Sequence, residues 1–373
     1  MKKKVLHFIL AYKIGGTAIN SLRFIQASQD KYLHYSLGLE PTTPEDRIIL
    51  EDFKNNVVKA FEVDVTKFSL NSLFKVLAVV KEVSPDIIHV NGKGGALYGF
   101  FAKIFYRNIN MFYTFRGFHM PFGGGKKKLY VLFEKFFSSS INMCIAVSES
   151  ERQYYLDEIK TKGENVVVIA NGITVDRREL PIKVRKETDK YNINIITLSR
   201  MCYQKDIITM LKAFDLVQQN DVSLHIFGGY IRKNESQEKY KQEVDETYVK
   251  MKNRNRIYFW GDLPMACDII HNFDIYWSTA VFEGLPSAII EAMMSEILVV
   301  GTDCRGNIDL IIPRETGLLT KMKSVNDNYE QLNVAINLVR EKAAGKMIGN
   351  AFRLSGGYSI ENNVTRLDSL YMS

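Results

Sequence analysis

Glu283 and Glu291 stand eight positions apart in the run Val281-Phe282-Glu283-Gly284-Leu285-Pro286-Ser287-Ala288-Ile289-Ile290-Glu291-Ala292-Met293. A Gly-Leu-Pro turn lies between them. Pro286 suits the first position of a helix, where its missing N–H costs little and its φ is already set. Good helix formers follow, so the spacing predicts Glu283 on a loop and Glu291 about a turn and a half into a helix. Free N–H groups at a helix start favour anionic or oxygen-rich ligands. Two carboxylate acceptors beside a donor-rich turn suit a polyhydroxyl ligand, with a ribose at one carboxylate and a hexose at the other. The same spacing also fits a surface helix with two solvated glutamates, and spacing alone leaves both readings open.

The run resembles the Glu-x7-Glu element of retaining glycosyltransferases of family 4, which have the GT-B fold. Ile275-Tyr276-Trp277-Ser278 leads into it like that family's strand ending in a small polar residue. Ile297-Leu298-Val299-Val300-Gly301-Thr302-Asp303 and Thr316-Gly317-Leu318-Leu319 follow as in the family. Where the family usually has Gly-Gly-x-Pro-Glu, this chain has Arg305-Gly306-Asn307-Ile308-Asp309, a departure that bears on the shape of that loop. The similarity spans essentially the whole chain and is strongest from Ile257 to Leu319.

The resemblance implies roles for particular residues. Glu291 would hold the ribose hydroxyls; Glu283 and the turn Gly284, Leu285 and Pro286 would hold the donor sugar. Arg200 and Lys205 match the family's Arg and Lys, spaced five apart, that hold the donor diphosphate. Two cations there can neutralise the charge that develops as the glycosidic bond breaks; the alternative is a pair of solvated surface cations. Gly15-Gly16-Thr17 resembles the family's turn near the donor phosphate and the acceptor. Glycine lets backbone approach a ligand, but a plain tight turn fits the same residues. Thr114-Phe115-Arg116-Gly117-Phe118-His119 stands where many bacterial surface-polysaccharide members carry Thr-x-His-Gly-Phe-His. Arg116 replaces a histidine that lies beside the reacting sugar in the family, and a guanidinium cannot act as a base. His119 matches the second histidine, or is a satisfied loop histidine. His89-Val90-Asn91-Gly92-Lys93-Gly94-Gly95 resembles a loop on the acceptor side; His89 can be buried at a strand end, while Asn91 and Lys93 are expected to face the cleft.

The chain contains no Asp-x-Asp, the motif with which many other glycosyltransferases hold a metal on the diphosphate, and its Cys and His positions lack metal-ligand spacing. No metal and no cofactor beyond the nucleotide-sugar donor are expected. Lys126-Lys127-Lys128 precedes Leu129, Tyr130, Leu132, Phe133, Phe136 and Phe137 at helical spacing. That helix either lies on an anionic membrane or, the reading the spacing favours for most of the aromatics, packs them into the domain core. Gly123-Gly124-Gly125 and the lysines remain candidates for lipid contact.

These residues must be positioned by alternating strands and helices. Val5 to Leu10, Leu33 to Leu39, Asp86 to Val90, Met111 to Phe115, Ile141 to Ser148 and Val166 to Ala170 read as strands. Thr17 to Ser28, Ser69 to Val83, Gly94 to Tyr106 and the segment after Glu149 read as helices. Such alternation predicts a parallel sheet covered on both faces. A second series begins at Ile193 to Leu198, with a helix from Asp206 to Gln218, strands at Ser223 to Phe227 and Arg256 to Phe259, and a short helix from Met265 to Asn272. Asn234 to Met251 reads as a solvated helix preceded by a mobile loop. The expected architecture is α/β: a first Rossmann-like, acceptor-side domain over 1–172, a linker over 173–191, and a second Rossmann-like, nucleotide-sugar domain over 192–356. A terminal helix over 357–373 would cross back to the first domain. The two domains are expected to face each other across a cleft, with ligands at the carboxyl ends of the strands.

Length and composition agree with two soluble domains: 373 residues, no apolar run long enough to span a bilayer, and a formal charge of +7 that favours phosphate-bearing or anionic-lipid partners. Val5 to Leu10 after three lysines reads as a buried strand rather than a signal peptide, since Tyr12 and Lys13 end it early. Cys144, Cys202, Cys267 and Cys304 are far apart, as expected of unpaired thiols in a reducing compartment. The sequence therefore leads to the expectation of a cytoplasmic, metal-independent, retaining glycosyltransferase, with a UDP-sugar donor and an acceptor hydroxyl on a lipid-linked or growing glycan of bacterial capsule, exopolysaccharide or lipopolysaccharide. Contact with the inner face of the membrane is an open expectation, and no nucleic-acid partner is expected. A nucleotide-sugar epimerase of the same fold and a non-catalytic sugar-nucleotide-binding subunit are the alternatives.

Overall fold

The computed structural model describes residues 2–120, 124–161, 163–230 and 235–373. The chain divides into unit 1, Met1–Ile173 with Tyr358–Ser373, and unit 2, Thr174–Gly357. The division falls inside the segment 173–191, expected to be a linker: Ile173 belongs to unit 1 and residues 174–191 to unit 2. The segment holds a short helix, Ile182–Thr188, whose Val184 is buried. The mobile loop expected before the helix Glu235–Lys250 falls outside the described residues.

Unit 1 is a sheet of β1 (Lys3–Ala11), β2 (Tyr32–Leu39), β3 (Lys59–Glu62), β4 (Ile87–Asn91), β5 (Asn110–Thr114), β6 (Met143–Ala146) and β7 (Val166–Val168). Its order is β3-β2-β1-β4-β5-β6-β7, with parallel pairing between neighbours. Val5, Leu6, Phe8 and Ile9 are wholly buried because helices cover both faces, so β1 reads as a near-continuous apolar run. Chain order reverses between β1 and β4. At such a switch point the loops leaving two neighbouring strands diverge and leave room for a ligand.

Unit 2 repeats the plan with β8 (Ile193–Leu198), β9 (Val222–Phe227), β10 (Ile257–Gly261), β11 (Ile275–Ser278), β12 (Leu298–Thr302) and β13 (Leu318–Thr320). The order is β10-β9-β8-β11-β12-β13, and the switch point lies between β8 and β11. Parallel strands require crossovers, and right-handed crossovers place the helices on both faces.

The terminal helix Ile360–Met372 belongs to unit 1, where Ile360, Val364, Leu367 and Tyr371 pack against Val5, Phe24, Ile87 and Phe112. Beneath it lies a buried polar layer. His7 on β1 and His34 on β2 share a hydrogen bond of 3.0 Å, and His34 Nε2 lies 3.1 Å from Ser28 Oγ. The Ser28 hydroxyl donates to the Phe24 carbonyl at 2.5 Å. Ser28 therefore accepts from His34 Nε2, and His34 Nδ1 accepts from His7. His89 on β4 bonds Thr114 Oγ1 at 2.7 Å and the Tyr371 hydroxyl. Burial holds all three rings neutral: His7 falls well below its ordinary value, His34 is pushed down to about 4 and His89 to about 3.

This layer makes unit 1 acid-sensitive. A histidine whose folded pKa is depressed contributes stability above its unfolded value near 6.5, and that contribution is lost as pH falls toward the folded value. His34 alone should take away about 2 kcal/mol between pH 7 and pH 5. Melting temperature should fall over that window, and His34→Asn should flatten the fall. A level melting temperature from pH 7 to pH 5 contradicts neutral burial of these rings.

Candidate functional site

The carboxyl edge of unit 2 gathers three loops. The first leaves β8 as Ser199, Arg200, Met201 and Cys202, then turns through Tyr203–Lys205. Asp206, in the left-handed region at φ 47, caps the helix Ile207–Phe214. The second leaves β11 and runs through Thr279 to Pro286 into the helix Ser287–Met294, with Pro286 as its N-cap rather than its first residue. The third leaves β12 and carries Cys304 to Asp309.

Specific bonds stitch these loops together. Thr279 Oγ1 donates toward the Lys205 and Asp206 carbonyls at 2.9 and 3.0 Å. Val281 N donates to the Gln204 carbonyl at 2.8 Å, and Gln204 Nε2 to the Phe282 carbonyl at 2.9 Å. Glu283 N donates to the Arg305 carbonyl at 3.1 Å. Gly306 lies at φ 87, and a Cβ there would come within 2.9 Å of Glu283 Cβ and the Gly284 carbonyl. The loop that departs from the family pattern is thus packed directly on the Glu283 backbone, and glycine is required for both conformation and space. Asn307 Nδ2 anchors it by donating to the Thr302 carbonyl at 2.9 Å.

The side chains converge as well. Lys205 Nζ meets Glu283 Oε1 at 2.5 Å, and the two side chains retain only 18% and 11% of their exposure. Glu291, on the buried side of its helix among Ile289, Ile290, Ala292 and Met293, is 6% exposed. Neither carboxylate is a solvated surface group. Arg200 lies half-buried two residues beyond β8. Leu285 is buried, so the Gly284–Pro286 turn is fixed by packing.

Unit 1 places its expected residues differently. Gly15 is the N-cap of the helix Gly16–Ala27, and a Cβ added there would meet nothing within 4 Å. Packing does not demand glycine at this point, and open space lies in front of it. Arg116 is half-buried at φ 57, in the left-handed region, followed by Gly117 at φ 95. Glu151, fully buried, fixes this loop by accepting from Gly117 N, Phe118 N and Val147 N at 2.7, 2.6 and 2.8 Å. The Arg116 guanidinium donates to Asn91 Oδ1 through Nε and Nη2 at 3.2 and 2.9 Å and to Asn171 Oδ1 through Nη1. Burial lowers its pKa to about 10, with Glu151 opposing the shift, so it stays charged at neutral pH. His89 and Arg116 line one small cavity with His7, Asn20, Asn91 and Asn171.

Two expectations are corrected here. Asn91 is 1% exposed and serves as an acceptor for Arg116. Lys93 donates to the His119 carbonyl at 2.7 Å and lies over the Phe118 and Tyr130 rings, and burial pulls its pKa down to about 8. Both side chains turn into the protein because the loop after β4 packs under the loop after β5. His119 itself is exposed. The sequence reading missed Asn171, Asn20, Gln204 and Thr279; Asn171, Gln204 and Thr279 follow strands, but their partners lie far away in the chain, and Asn20 is inside the helix Gly16–Ala27 with nothing in the sequence to single it out. Among the described residues, no three His, Cys, Asp or Glu side chains gather in a way that could hold a metal ion.

Comparison with known proteins fits this arrangement. A family model described as Glycosyl transferases group 1 matches residues 177–352, and one described as Glycosyltransferase Family 4 matches residues 50–177. The UDP-Gal:alpha-D-GlcNAc-diphosphoundecaprenol alpha-1,3-galactosyltransferase of Escherichia coli is 21% identical, covering 100% of this chain and 97% of its own. The capsular polysaccharide biosynthesis glycosyltransferase CapM of Staphylococcus aureus is 22% identical over 99% of this chain and 97% of its own. Among solved structures, HepE of Anabaena in complex with UDP-glucose superposes with a TM-score of 0.81 at 18% identity, covering 98% of each chain. A glycosyltransferase from Rickettsia africae superposes at 0.80 and 18% identity over 99% of this chain and 98% of its own.

The Lys205–Glu283 pair can be tested as a pair. Lys205→Met leaves a largely buried carboxylate without its cation and should destabilise unit 2, whereas Glu283→Gln in the same background should recover part of the loss. A thermal double-mutant cycle should give a coupling on the order of 1–3 kcal/mol. Additive single substitutions would show that the two charges do not depend on each other.

Proposed function

This chain is a GT-B glycosyltransferase built from a family 4 domain and a group 1 domain, and we propose that it is a retaining, metal-independent enzyme using a UDP-sugar. In this reading it moves the sugar to a hydroxyl of a lipid-linked or growing bacterial surface glycan. The observation that carries the proposal is the convergence of Lys205, Glu283 and the Gly284–Pro286 turn at the switch point between β8 and β11, with Glu291 on the helix behind. Relatives named for O-antigen and capsule synthesis, and one named for a diphosphoundecaprenol-linked substrate, support the choice of acceptor.

The roles follow from charge and reach. Glu291 accepts from the ribose hydroxyls. Glu283 accepts from the donor-sugar hydroxyls, which replace the Lys205 contact and turn the ammonium toward the diphosphate. Arg200 adds a second positive charge there. As the bond from the anomeric carbon to the diphosphate oxygen breaks, negative charge collects on the phosphate, and these fixed cations stabilise it more than they stabilise the ground state. The acceptor oxygen bonds to the anomeric carbon on the face the diphosphate leaves, and its proton passes to a departing phosphate oxygen. The configuration is thereby retained. Gly15 and Gly16 offer open backbone for the acceptor side. Arg116, held between two amide oxygens, presents a fixed charge rather than a proton acceptor. Such an enzyme would work in the cytoplasm, where nucleotide sugars are made.

Incubation with a UDP-sugar and an undecaprenyl-diphosphate-linked sugar should release UDP and yield a glycan whose new linkage is α by NMR, the configuration of the donor. A β linkage excludes retention, and donor conversion without transfer excludes the transferase. Turnover should survive EDTA; loss that magnesium or manganese restores contradicts the assignment of phosphate charge to Arg200 and Lys205. Arg200→Ala should lower kcat by about 100- to 1,000-fold, as removal of a transition-state charge partner does.

A further inference from the structure

We infer that the outer face of unit 1, built by the helices Leu70–Val83, Lys93–Phe105 and Gly124–Ser140, docks on an anionic lipid bilayer. The inference stands on residues of unit 1 alone and does not depend on the reaction proposed above. The sequence favoured packing the aromatics of the third helix into the core, and the structure contradicts this for half of them. Phe137 is buried and Tyr130 packs against the core, but Leu129 is 72%, Leu132 66% and Phe136 60% exposed, with Phe133 beside them. Positions 129, 132, 133 and 136 follow i, i+3, i+4, i+7 spacing and form one stripe. The helix therefore has two apolar faces, one turned to the sheet and one turned to solvent.

The stripe continues across its neighbours. Phe136 meets Phe100 at 5.7 Å, Phe100 meets Phe101 at 6.1 Å, and Phe101 meets Phe68 at 5.9 Å between ring centroids. Phe105 and Phe74 on the two adjoining helices are 64% and 69% exposed. The ring contacts join two helices and reach Phe68, just before the helix Leu70–Val83, and apolar surface of this extent marks a contact surface rather than scattered exposed residues.

Charge selects the partner. From residue 87 to 148 the sequence carries eight lysines and arginines and a single acid, Glu134. That acid is 3% exposed and accepts from the Tyr130 hydroxyl. Four of the cations are engaged within the protein: Arg116 and Lys93 as described, Lys103 with the Ile109 carbonyl at 2.6 Å, and Lys127 with Glu158 at 2.6 Å. Lys126, Lys128, Lys135 and Arg107 are exposed. On these three helices the exposed acid is Glu82, paired with Lys59 at 2.7 Å, against exposed Lys75, Lys81, Lys126, Lys128 and Lys135. An apolar stripe with a basic excess around it fits a surface that is apolar within and negative at its border. An anionic bilayer has that character, and apolar insertion plus a basic patch is the pair of signals that holds a protein on one. The helix begins beyond β5, and Tyr130 lies under Lys93 at the start of the helix after β4. Its basic end therefore sits at the carboxyl edge of the sheet, where Arg116 and Gly15 lie. Among the described residues no helix is long and apolar enough to cross a membrane, so the contact is peripheral.

The test is cosedimentation of the full chain, without any sugar donor, with vesicles of phosphatidylglycerol and phosphatidylethanolamine or of phosphatidylcholine. The wild type should bind the first and not the second, and high salt should weaken binding. Lys126→Ala with Lys128→Ala should weaken it about 30-fold, at roughly 1 kcal/mol per charge. Leu132→Ser with Phe136→Ser should weaken it by about tenfold or more. A Leu132→Trp chain should show a blue-shifted emission on adding the anionic vesicles, measured against the wild type, which reports insertion without removing apolar surface. Absent binding, equal binding to both lipids, variants that bind like the wild type, or an unshifted tryptophan each overturn the inference. A concentration-dependent dimer in the ultracentrifuge that Leu132→Ser with Phe136→Ser abolishes, without vesicle binding, would make this face a self-association surface instead. Because no donor is present, none of these outcomes bears on glycosyl transfer.

Discussion

Lys205 and Glu283 sit on loops that leave neighbouring strands, and the 2.5 Å ion pair between them fixes the carboxyl edge of unit 2. Burying two charges is costly unless they are paired and the surrounding atoms are also satisfied. Here the surrounding bonds exist: Gln204 reaches the Phe282 carbonyl, Thr279 reaches the Lys205 carbonyl, and Gly306 admits the third loop against Glu283. The result is a site whose charges are set before a ligand arrives. A ligand that offers hydroxyls to Glu283 and phosphate to Lys205 can replace one internal pair by two external ones. On the function proposed above, that exchange would favour a nucleotide sugar at this edge over a simple phosphate or a simple sugar.

Unit 1 uses the same topology for another purpose. Its switch point between β1 and β4 is filled beneath by the neutral His7, His34 and His89 layer and closed above by Arg116 between two asparagines. Arg116 holds a left-handed backbone, and Glu151 pins the turn by accepting from Gly117 N and Phe118 N while also accepting from Val147 N just beyond β6. A rigid, positively charged loop results, rather than a titrating one. One parallel sheet therefore presents paired opposite charges at its carboxyl edge and the other a caged cation, and the difference lies in loop residues alone.

Much of this was legible in the sequence, for identifiable reasons. Strands buried on both faces, such as Val5 to Ile9 and Ile193 to Ile196, announce themselves as apolar runs. Glu283 and Glu291 were visible because a turn signal and helix formers lie between them. The helix Pro44–Asn56 was missed although Thr43 caps it, Pro44 opens it and Glu45 and Asp46 fill its first turn. The helix expected to run from Asp206 to Gln218 ends at Phe214, where Asp215 is drawn away to accept from Lys252 N and Asn253 N. The inward turn of Asn91 and Lys93, and the histidine chain across three strands, depend on register and on which loop packs over which. A one-dimensional pattern does not contain that information. The exposed stripe of the helix Gly124–Ser140 was unreadable for a related reason: it is apolar on two faces, and periodicity shows that a face exists, not what covers it.

The central claim is that the carboxyl edge of unit 2 binds the nucleotide of a sugar donor through Glu291. Isothermal titration of UDP into the wild type and into Glu291→Ala tests it without knowledge of sugar or acceptor. The wild type should bind UDP, and the variant should lose about 1.5–3 kcal/mol, a hydrogen bond to a charged group, or roughly 10- to 150-fold in Kd. Equal affinity for UDP in both proteins, or no UDP binding by the wild type, would contradict it.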